Sequence, residues 1–422
     1  MDIAIVGGGL VGGMAACNFA KRGHRVRVYE YRPDIRVEER RGQSIDLALS
    51  VRGREALKLV DLEDKIVNDH GIAMRARLLH RKDGSVKEMI YDTVKNNVMP
   101  LLCQPNTPKS GSSQCTITHE TSQVNADLII GADGAYSTVR KIMMKQPGFD
   151  FSQTYIKHGY IELNIPPRMI DKNNPTKGYE FSLSPNHFHI WPRGTFMMIA
   201  MPNEDFSFTG NLFAPLEILL ELNTPETIMK FFKDQFPDVL LLLDDHQELI
   251  NHFLSIKPKP LISIKATPYH TSKSLLLGDA AHAMVPFYGQ GMNSAFEDVL
   301  ILNELMDLYN EDMSQVLPAF SKQRCSDAHA ICDLAMYNYV EMRDLVLKKP
   351  FIIRRNLDSN LHRLWPNSWI PLYFMITFTR IGFRDCIALR SWQDKIVQRS
   401  LWLLGTIATL GALIISIMSH AS

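Results

Sequence analysis

The chain opens on an apolar run, Ile3-Ala4-Ile5-Val6, that stops at three consecutive glycines. Such a run before a glycine turn predicts a short buried strand. Residues 10–21 follow with helical character, and Arg25-Val26-Arg27-Val28-Tyr29 alternates polar and apolar. Strict alternation predicts a second strand, so residues 2–30 form a strand–helix–strand unit. Further buried strands are expected at 126–131 and 274–278. Segments 158–165 and 187–213 are rich in Phe, Ile, Met and Thr with partial alternation, the pattern of antiparallel strands in a second sheet. Segments 216–254, 289–309 and 316–347 read as helical. Residues 97–125, rich in Pro, Ser, Thr and Gln, read as a connection longer than a compact domain ordinarily contains.

The end of the chain breaks this pattern. Residues 401–418, LWLLGTIATLGALIISIM, carry no charge, and Lys395 and Arg399 precede them. Eighteen helical residues span about 27 Å, close to the hydrocarbon thickness of a bilayer. A membrane anchor is expected here, with the basic flank placing the body on the cytosolic side; the alternative is a buried core helix. Met1 and Asp2 lead directly into the first strand, which leaves no room for a transit peptide.

Composition narrows the classes. A chain of 422 residues with 45% hydrophobic positions supports two or three structural units. The formal charge of +1 gives no global attraction to nucleic acid. Six scattered cysteines without a CxxC pair suit a reducing compartment with free thiols and give zinc no ligand pattern. His187 and His189 alternate on a strand and are expected to pack and bond there, not to hold a metal.

Three segments carry chemistry. Gly7, Gly9 and Gly12 form G-x-G-x-x-G between strand and helix, where backbone N–H groups can approach a pyrophosphate. Glu30 ends the next strand, where a carboxylate can accept from a ribose diol. The second segment is Gly131-Ala132-Asp133-Gly134-Ala135-Tyr136-Ser137-Thr138-Val139-Arg140. The third is Gly278-Asp279-Ala280-Ala281-His282, running through Pro286-Phe287-Tyr288 to Gly289-Gln290-Gly291-Met292-Asn293. Gly-Asp after a strand places a carboxylate for sugar or ribityl hydroxyls. The helix opened at Gly291 directs free N–H groups and a positive dipole end at the same region.

These segments resemble the fingerprints of the flavoprotein aromatic hydroxylases. Within that family the chain is similar to the branch that hydroxylates L-kynurenine, through RGQSIDLALSVRGREAL, GADGAYSTVR, HIWPRGTFMMIAMPN, GDAAHAMVPFYGQGMN, MYNYVEMR, IPLY and the apolar tail. The resemblance implies an α/β fold: a Rossmann-like FAD-binding domain, an inserted antiparallel substrate-domain sheet, C-terminal helices and a transmembrane helix. The expected division is 1–75, 126–155 and 265–315 for FAD; 76–92 and 156–264 for substrate; 316–395 as a helical region; and 401–418 as the anchor. It implies FAD and NADPH as cofactors, L-kynurenine and O2 as substrates, and a place on the mitochondrial outer membrane. Matching FAD positions are Gly7, Gly9, Val11, Gly12, Glu30, Arg32, Ala48, Asp133, Asp279, Gly291, Met292 and Asn293. Matching substrate positions are Arg77 and Tyr91 for the carboxylate, Asn338 and Tyr373 as further contacts, and Phe213, Phe287, Glu341 and Met342 as pocket residues. No side chain matches a proton-transfer catalyst, and His282 reads as structural.

The chain also departs from the family. Lys95 to Asn125 is shorter than the family's interval and lacks its arginine near the diphosphate, which predicts weaker FAD retention. Gln43 and Asp46 stand where Arg and Asn are expected, and an added carboxylate near a diphosphate is unfavourable. Two alternatives therefore stay open: a related hydroxylase with another substrate, and a catalytically impaired form held at the membrane.

Overall fold

In the computed structural model the described residues are 1–32, 47–91, 99–102, 123–171, 178–243 and 245–421. The expectations for Gln43 and Asp46, and for most of 95–125, lie outside them. Of that interval, the strand Met99–Leu102 joins Leu47–Ala48 and Gly71–Met74 in a small antiparallel sheet.

The predicted N-terminal unit is present. Asp2–Val6 pairs in parallel with Arg25–Tyr29 on one side and Leu128–Gly131 on the other, and Ser274–Leu276 extends the sheet. Ile3, Ile5, Leu128, Ile130 and Leu275 are buried against Met14 and Phe19 of helix Leu10–Lys21 and Val299 and Leu302 of helix Gly291–Leu308. Burial on both faces explains why these strands read as continuous apolar runs.

The second sheet has seven strands in the order Lys259–Thr267, Asp150–Ile165, Phe208–Pro215, Met197–Pro202, His187–Pro192, Ala76–His80, Val86–Ile90. All pairings are antiparallel except His187–Pro192 with Ala76–His80. Period-two alternation sends Met198, Leu212 and Phe208 to one core with Phe232, Phe236 and Phe253, and Met197, Ile199 and Phe213 to the other. The sheet reaches further than the expected division at 156 and 264. Thr267 pairs with Asp150 at the end of one continuous ladder, so both strands cross those borders together. The expected helical stretch 216–254 breaks into Leu216–Glu221, Pro225–Gln235, Pro237–Leu240 and His246–Ser255, because Pro225 and Pro237 each begin a new helix and Asp245 caps the last.

His187 and His189 diverge in role. His189 Nε2 lies 2.9 Å from the Ser184 carbonyl and so donates, leaving its Nδ1 to accept from His80 Nε2 at 2.9 Å. Burial pushes His189 down to about 3. His187 is instead held by Glu88 and Ser184.

Between the parallel sheet and the C-terminal helices lies a buried charge network. Arg324, on the 31-residue helix Met313–Arg343, reaches Asp298 (2.9 Å), Asp327 (2.9 Å), Glu297 (3.3 Å) and the Ser294 carbonyl (3.1 Å). Asp298 also accepts from the Gly278 amide at 2.9 Å and contacts His282 Nε2 at 2.7 Å. Arg52, on helix Val51–Lys58, donates to Glu297 at 2.6 Å, to the Ile381 carbonyl, and lies 3.9 Å over the Phe383 ring.

Helix Leu372–Phe378 leads to the C-terminal helix Phe383–Ala421 of 39 residues. Its outer half leaves the body: Leu401 is 64% exposed and Trp402 71%. Among the described residues, no helix is long and apolar enough to cross a membrane.

Candidate active site

The parallel sheet presents the carboxyl ends of its four strands along one edge, where ligands of open α/β sheets bind. In spatial order this edge carries Gly278-Asp279, Ala132-Asp133, Gly7–Gly9 and Glu30. The glycines are sterically required. A Cβ on Gly7, whose φ is +102°, would lie 2.3 Å from the Ala132 carbonyl oxygen, and one on Gly12 would lie 1.9 Å from that of Gly7. Gly9 faces open space apart from the Arg32 guanidinium 3.8 Å away. Glu30 accepts from the Gly8 amide (2.6 Å) and from Arg32 Nε (2.8 Å). The Arg32 contacts hold its carboxyl down at about 2, so it is an anion at neutral pH.

Asp279 follows Gly278, which adopts φ +58° against Val11. Its carboxylate opens on the cleft without a hydrogen-bond partner among the described residues. The surrounding protein raises its pKa, with Asp298 adding to the effect. Gly291 opens helix Gly291–Leu308 with nothing within 4 Å of a Cβ, leaving the Gly291 and Met292 N–H groups free at the helix start. Asn293 locks this turn: its amide donates to the carbonyls of Ala48 (2.6 Å) and Gly289 (2.7 Å) and accepts from the Ser50 amide (2.8 Å). A glycine cradle, a sugar-facing carboxylate and a free helix N-terminus on one edge fit a dinucleotide such as FAD. Asp133 also serves its own loop and helix. Its carboxylate accepts from Ser137 Oγ (2.5 Å) and the Thr138 amide (2.6 Å), so it caps its own helix Thr138–Met143.

Beside this edge, against the seven-stranded sheet, lies a cavity of about 300 Å³. Of the expected substrate residues, Arg77, Tyr91, Phe213, Phe287, Met342 and Tyr373 line it, and Ala48 and Gly289 connect it to the dinucleotide edge. Arg77 is buried on strand Ala76–His80, its guanidinium 4.2 Å from the Tyr373 ring centroid and 5.8 Å from that of Tyr91. The Tyr91 and Tyr373 rings are parallel at 5.7 Å, and Tyr288 stacks on the other side of Tyr373, also at 5.7 Å. Burial opposes charge on Arg77, but Tyr373, Tyr91 and Glu341 more than offset it and its pKa is raised. Arg77 Nε and the Tyr91 hydroxyl are buried without hydrogen-bond partners. Orphaned donors of this kind are costly and are relieved by an anionic ligand. At the other end Phe213 meets Phe287 edge-on at 4.9 Å, and Phe287 stacks on Tyr339 at 3.9 Å.

Two expected contacts do not reach the cavity wall. Asn338 donates to the Phe287 carbonyl at 2.6 Å, which fixes the turn bearing Phe287. Glu341 stands behind Arg77 at 4.0 Å, and burial raises its pKa. Sequence reasoning also missed two residues. Arg355 shares the Arg77–Glu341 environment and is pushed down to about 10, first by burial and then by Arg77; an Arg-Arg pair on a helix gives no signal of this. Asn211, also unforeseen, lies in the cavity floor two residues from Phe213, and strand alternation could have shown it.

Comparison with known proteins places these features. A model of the FAD binding domain matches residues 110–335. The kynurenine 3-monooxygenase of Anopheles gambiae is 45% identical over 98% of this chain and 90% of its own length. That of Sus scrofa is 44% identical over 97% of this chain and 90% of its own. The Anopheles alignment spans 445 positions against 422 residues here, so this chain lacks residues that its relative has. Among solved structures, 2-methyl-3-hydroxypyridine-5-carboxylic acid oxygenase superposes with a TM-score of 0.59 at 20% identity, over 79% of this chain and 89% of its own. Pseudomonas aeruginosa PqsL, in complex with 2-aminobenzoylacetate, gives 0.59 at 20% identity over 82% and 97%. These two show the shared fold.

Removing the Arg77 guanidinium should leave the cavity without its buried anion partner. Arg77→Met is expected to weaken binding of a carboxylated aromatic amino acid roughly hundredfold, and Arg77→Lys, which loses the planar fork, about tenfold. Titration of the FAD-loaded protein by flavin absorbance measures both; affinities within threefold of wild type would contradict the assignment.

Proposed function

The chain belongs to the kynurenine 3-monooxygenase family of flavin-dependent aromatic monooxygenases, and from that premise we propose that it converts L-kynurenine to 3-hydroxykynurenine with NADPH and O2, in tryptophan catabolism. The observation that carries the reading is the buried Arg77 Nε and Tyr91 hydroxyl, left without hydrogen-bond partners at one end of an aromatic cavity whose other end adjoins the dinucleotide edge.

Bound FAD supplies the oxygen activation, once reduced by NADPH. The protein supplies position. Arg77 pairs with the substrate carboxylate, and the Tyr91 and Tyr373 hydroxyls stand beside it. Glu341, behind Arg77, is available to offset the cationic charge at this end of the cavity. Phe213 and Phe287, in edge-on contact with each other, together wall the ring end, and the Asn338 bond to the Phe287 carbonyl keeps that turn in place. The apolar wall of Ile199, Met201, Val285 and Met342 excludes water from the reacting ring. Tyr160, raised to about 12 by burial and Glu162, stays protonated, so it can donate a hydrogen bond but not act as a base. An aminophenyl ring is already electron-rich, and no side chain is needed to deprotonate it.

We further propose that residues 401–418 anchor the protein in the mitochondrial outer membrane with the body facing the cytosol. The helix from Phe383 to Ala421 is unbroken, and the exposure of Leu401, Trp402, Leu403 and Leu404 leaves apolar side chains that water does not favour.

The purified chain with added FAD should oxidise NADPH faster when L-kynurenine is present and form 3-hydroxykynurenine, identified by mass, in step with that oxidation. NADPH oxidation without hydroxylated product, or with no response to kynurenine, would contradict the proposal. Deleting residues 400–422 should move the protein from the membrane to the soluble fraction; continued sedimentation with membranes would assign attachment elsewhere.

A further inference from the structure

The cavity floor is apolar with one conspicuous interruption. Phe188, Ile199, Met201 and Phe213 contribute hydrocarbon or ring surface, as period-two alternation on adjacent strands requires. Asn211 points to the same side as Phe213, lines the cavity and is buried. Its amide makes no hydrogen bond within the protein among the described residues, and its polar atoms are open to the cavity. Nearby polar groups of these strands are treated differently: the Asn203 amide donates to Ser207 Oγ (2.9 Å) and exchanges hydrogen bonds with Thr209 Oγ1. An amide set in an apolar floor has only the contents of the cavity to bond, and a central strand position favours a β-branched or aromatic residue over asparagine. Asparagine here is therefore explained by a ligand.

The sheet locates that ligand's matching group. Arg77 pairs with Phe188, the next ladder pairs His189 with Ala200 and so sets Phe188 level with Met201, and Met201 pairs with Thr209. Asn211 is two residues beyond Thr209. Three steps of about 4.8 Å across the sheet and two of about 3.3 Å along a strand put the Cα atoms of Arg77 and Asn211 about 16 Å apart. The arginine side chain reaches inward from one end and the shorter asparagine from the other. The gap between them suits one aryl amino acid lying along the floor, its carboxylate on Arg77 and its ring against Phe213 and Phe287.

On the reading that kynurenine is the substrate, we propose that Asn211 is a specificity-determining residue that recognises the ortho-amino ketone at the ring end. Its Oδ1 accepts from the ring amine and its Nδ2 donates to the ketone oxygen. An amide offers this acceptor and donor side by side, and the ortho-amino ketone presents the complementary pair. Arg77 then recognises the amino-acid class, and Asn211 separates an aminophenyl ketone from plain aryl amino acids.

The test compares L-kynurenine with its analogue lacking the ring amine, 2-amino-4-oxo-4-phenylbutanoate. Dissociation constants come from flavin-absorbance titration of the full-length FAD-loaded protein. The wild type is expected to favour kynurenine about three- to tenfold, the worth of one neutral hydrogen bond. Asn211→Leu and Asn211→Val, judged folded by FAD content equal to wild type, should bind both ligands alike. The ligand-free leucine variant should melt at or above the wild-type temperature, because a central strand in an apolar floor favours an apolar side chain over an amide. A preference retained in a folded variant would overturn the proposal, and so would a wild type without preference. Binding is measured apart from turnover, so a wild type that discriminates but forms no hydroxylated product would refute the proposed reaction and leave the role of Asn211 standing.

Discussion

The structure depends on a set of charges that water does not reach. Asp298, Glu297, Arg324 and Arg52 are buried together, and isolated ions in such a setting would each cost several kcal/mol. They are tolerable because each is paired and hydrogen-bonded, and that condition fixes positions. Asp298 is held by Arg324 and His282 while accepting from the Gly278 amide, so the loop bearing Asp279 can adopt only the course that keeps this bond. Arg52 ties Glu297 to the carbonyl of Ile381 and covers Phe383, so the start of the C-terminal helix is referred to the same point.

The two halves of the active site inherit this common reference. The dinucleotide edge depends on Gly278-Asp279 and the N-terminus of helix Gly291–Leu308, whose first turns carry Ser294, Glu297 and Asp298. The substrate cavity depends on helix Met313–Arg343, which carries Arg324 in its middle and Met342 near its end, and on helix Leu372–Phe378, which carries Tyr373. A small apolar cavity accepts little misplacement. For a reaction in which the cofactor must reach one ring carbon, a shared rigid hub is the physical means of setting that distance.

Much of this was legible in the sequence, for reasons that differ by element. The inner parallel strands were visible because burial leaves continuous apolar runs, and the edge strand Arg25–Tyr29 by its alternation. Gly7 and Gly12 were visible because the close approach of Ala132 and of the Gly7 carbonyl admits no side chain. Arg77, Tyr91 and Tyr373 were named from resemblance, and the fold brings them together. What remained hidden depends on partners distant in the chain. Asp133, expected at the cofactor, also accepts from the first amides of the following helix, beside the Ser137 cap. Asn338 and Glu341 are not among the lining residues and instead contact two that are, Phe287 and Arg77. Arg355 and Asn211 carry no local signal of their environment: one is an ordinary helix arginine, the other an ordinary polar residue, until the sheet and the helices enclose them. Arg52 and Arg324 are the extreme case, since Arg52 is spent wholly, and Arg324 chiefly, on residues from other segments.

The hub can be examined directly through Arg52, which touches neither the cavity nor the Gly278 loop. Measuring dissociation constants for FAD and for L-kynurenine in Arg52→Met, alongside its melting temperature, separates a shared scaffold from simple bulk stability. A shared scaffold predicts that both constants rise together, about tenfold or more, as expected for coupled members of one buried network. A lower melting temperature with both constants within twofold of wild type would contradict the view that this network holds cofactor and substrate sites in register.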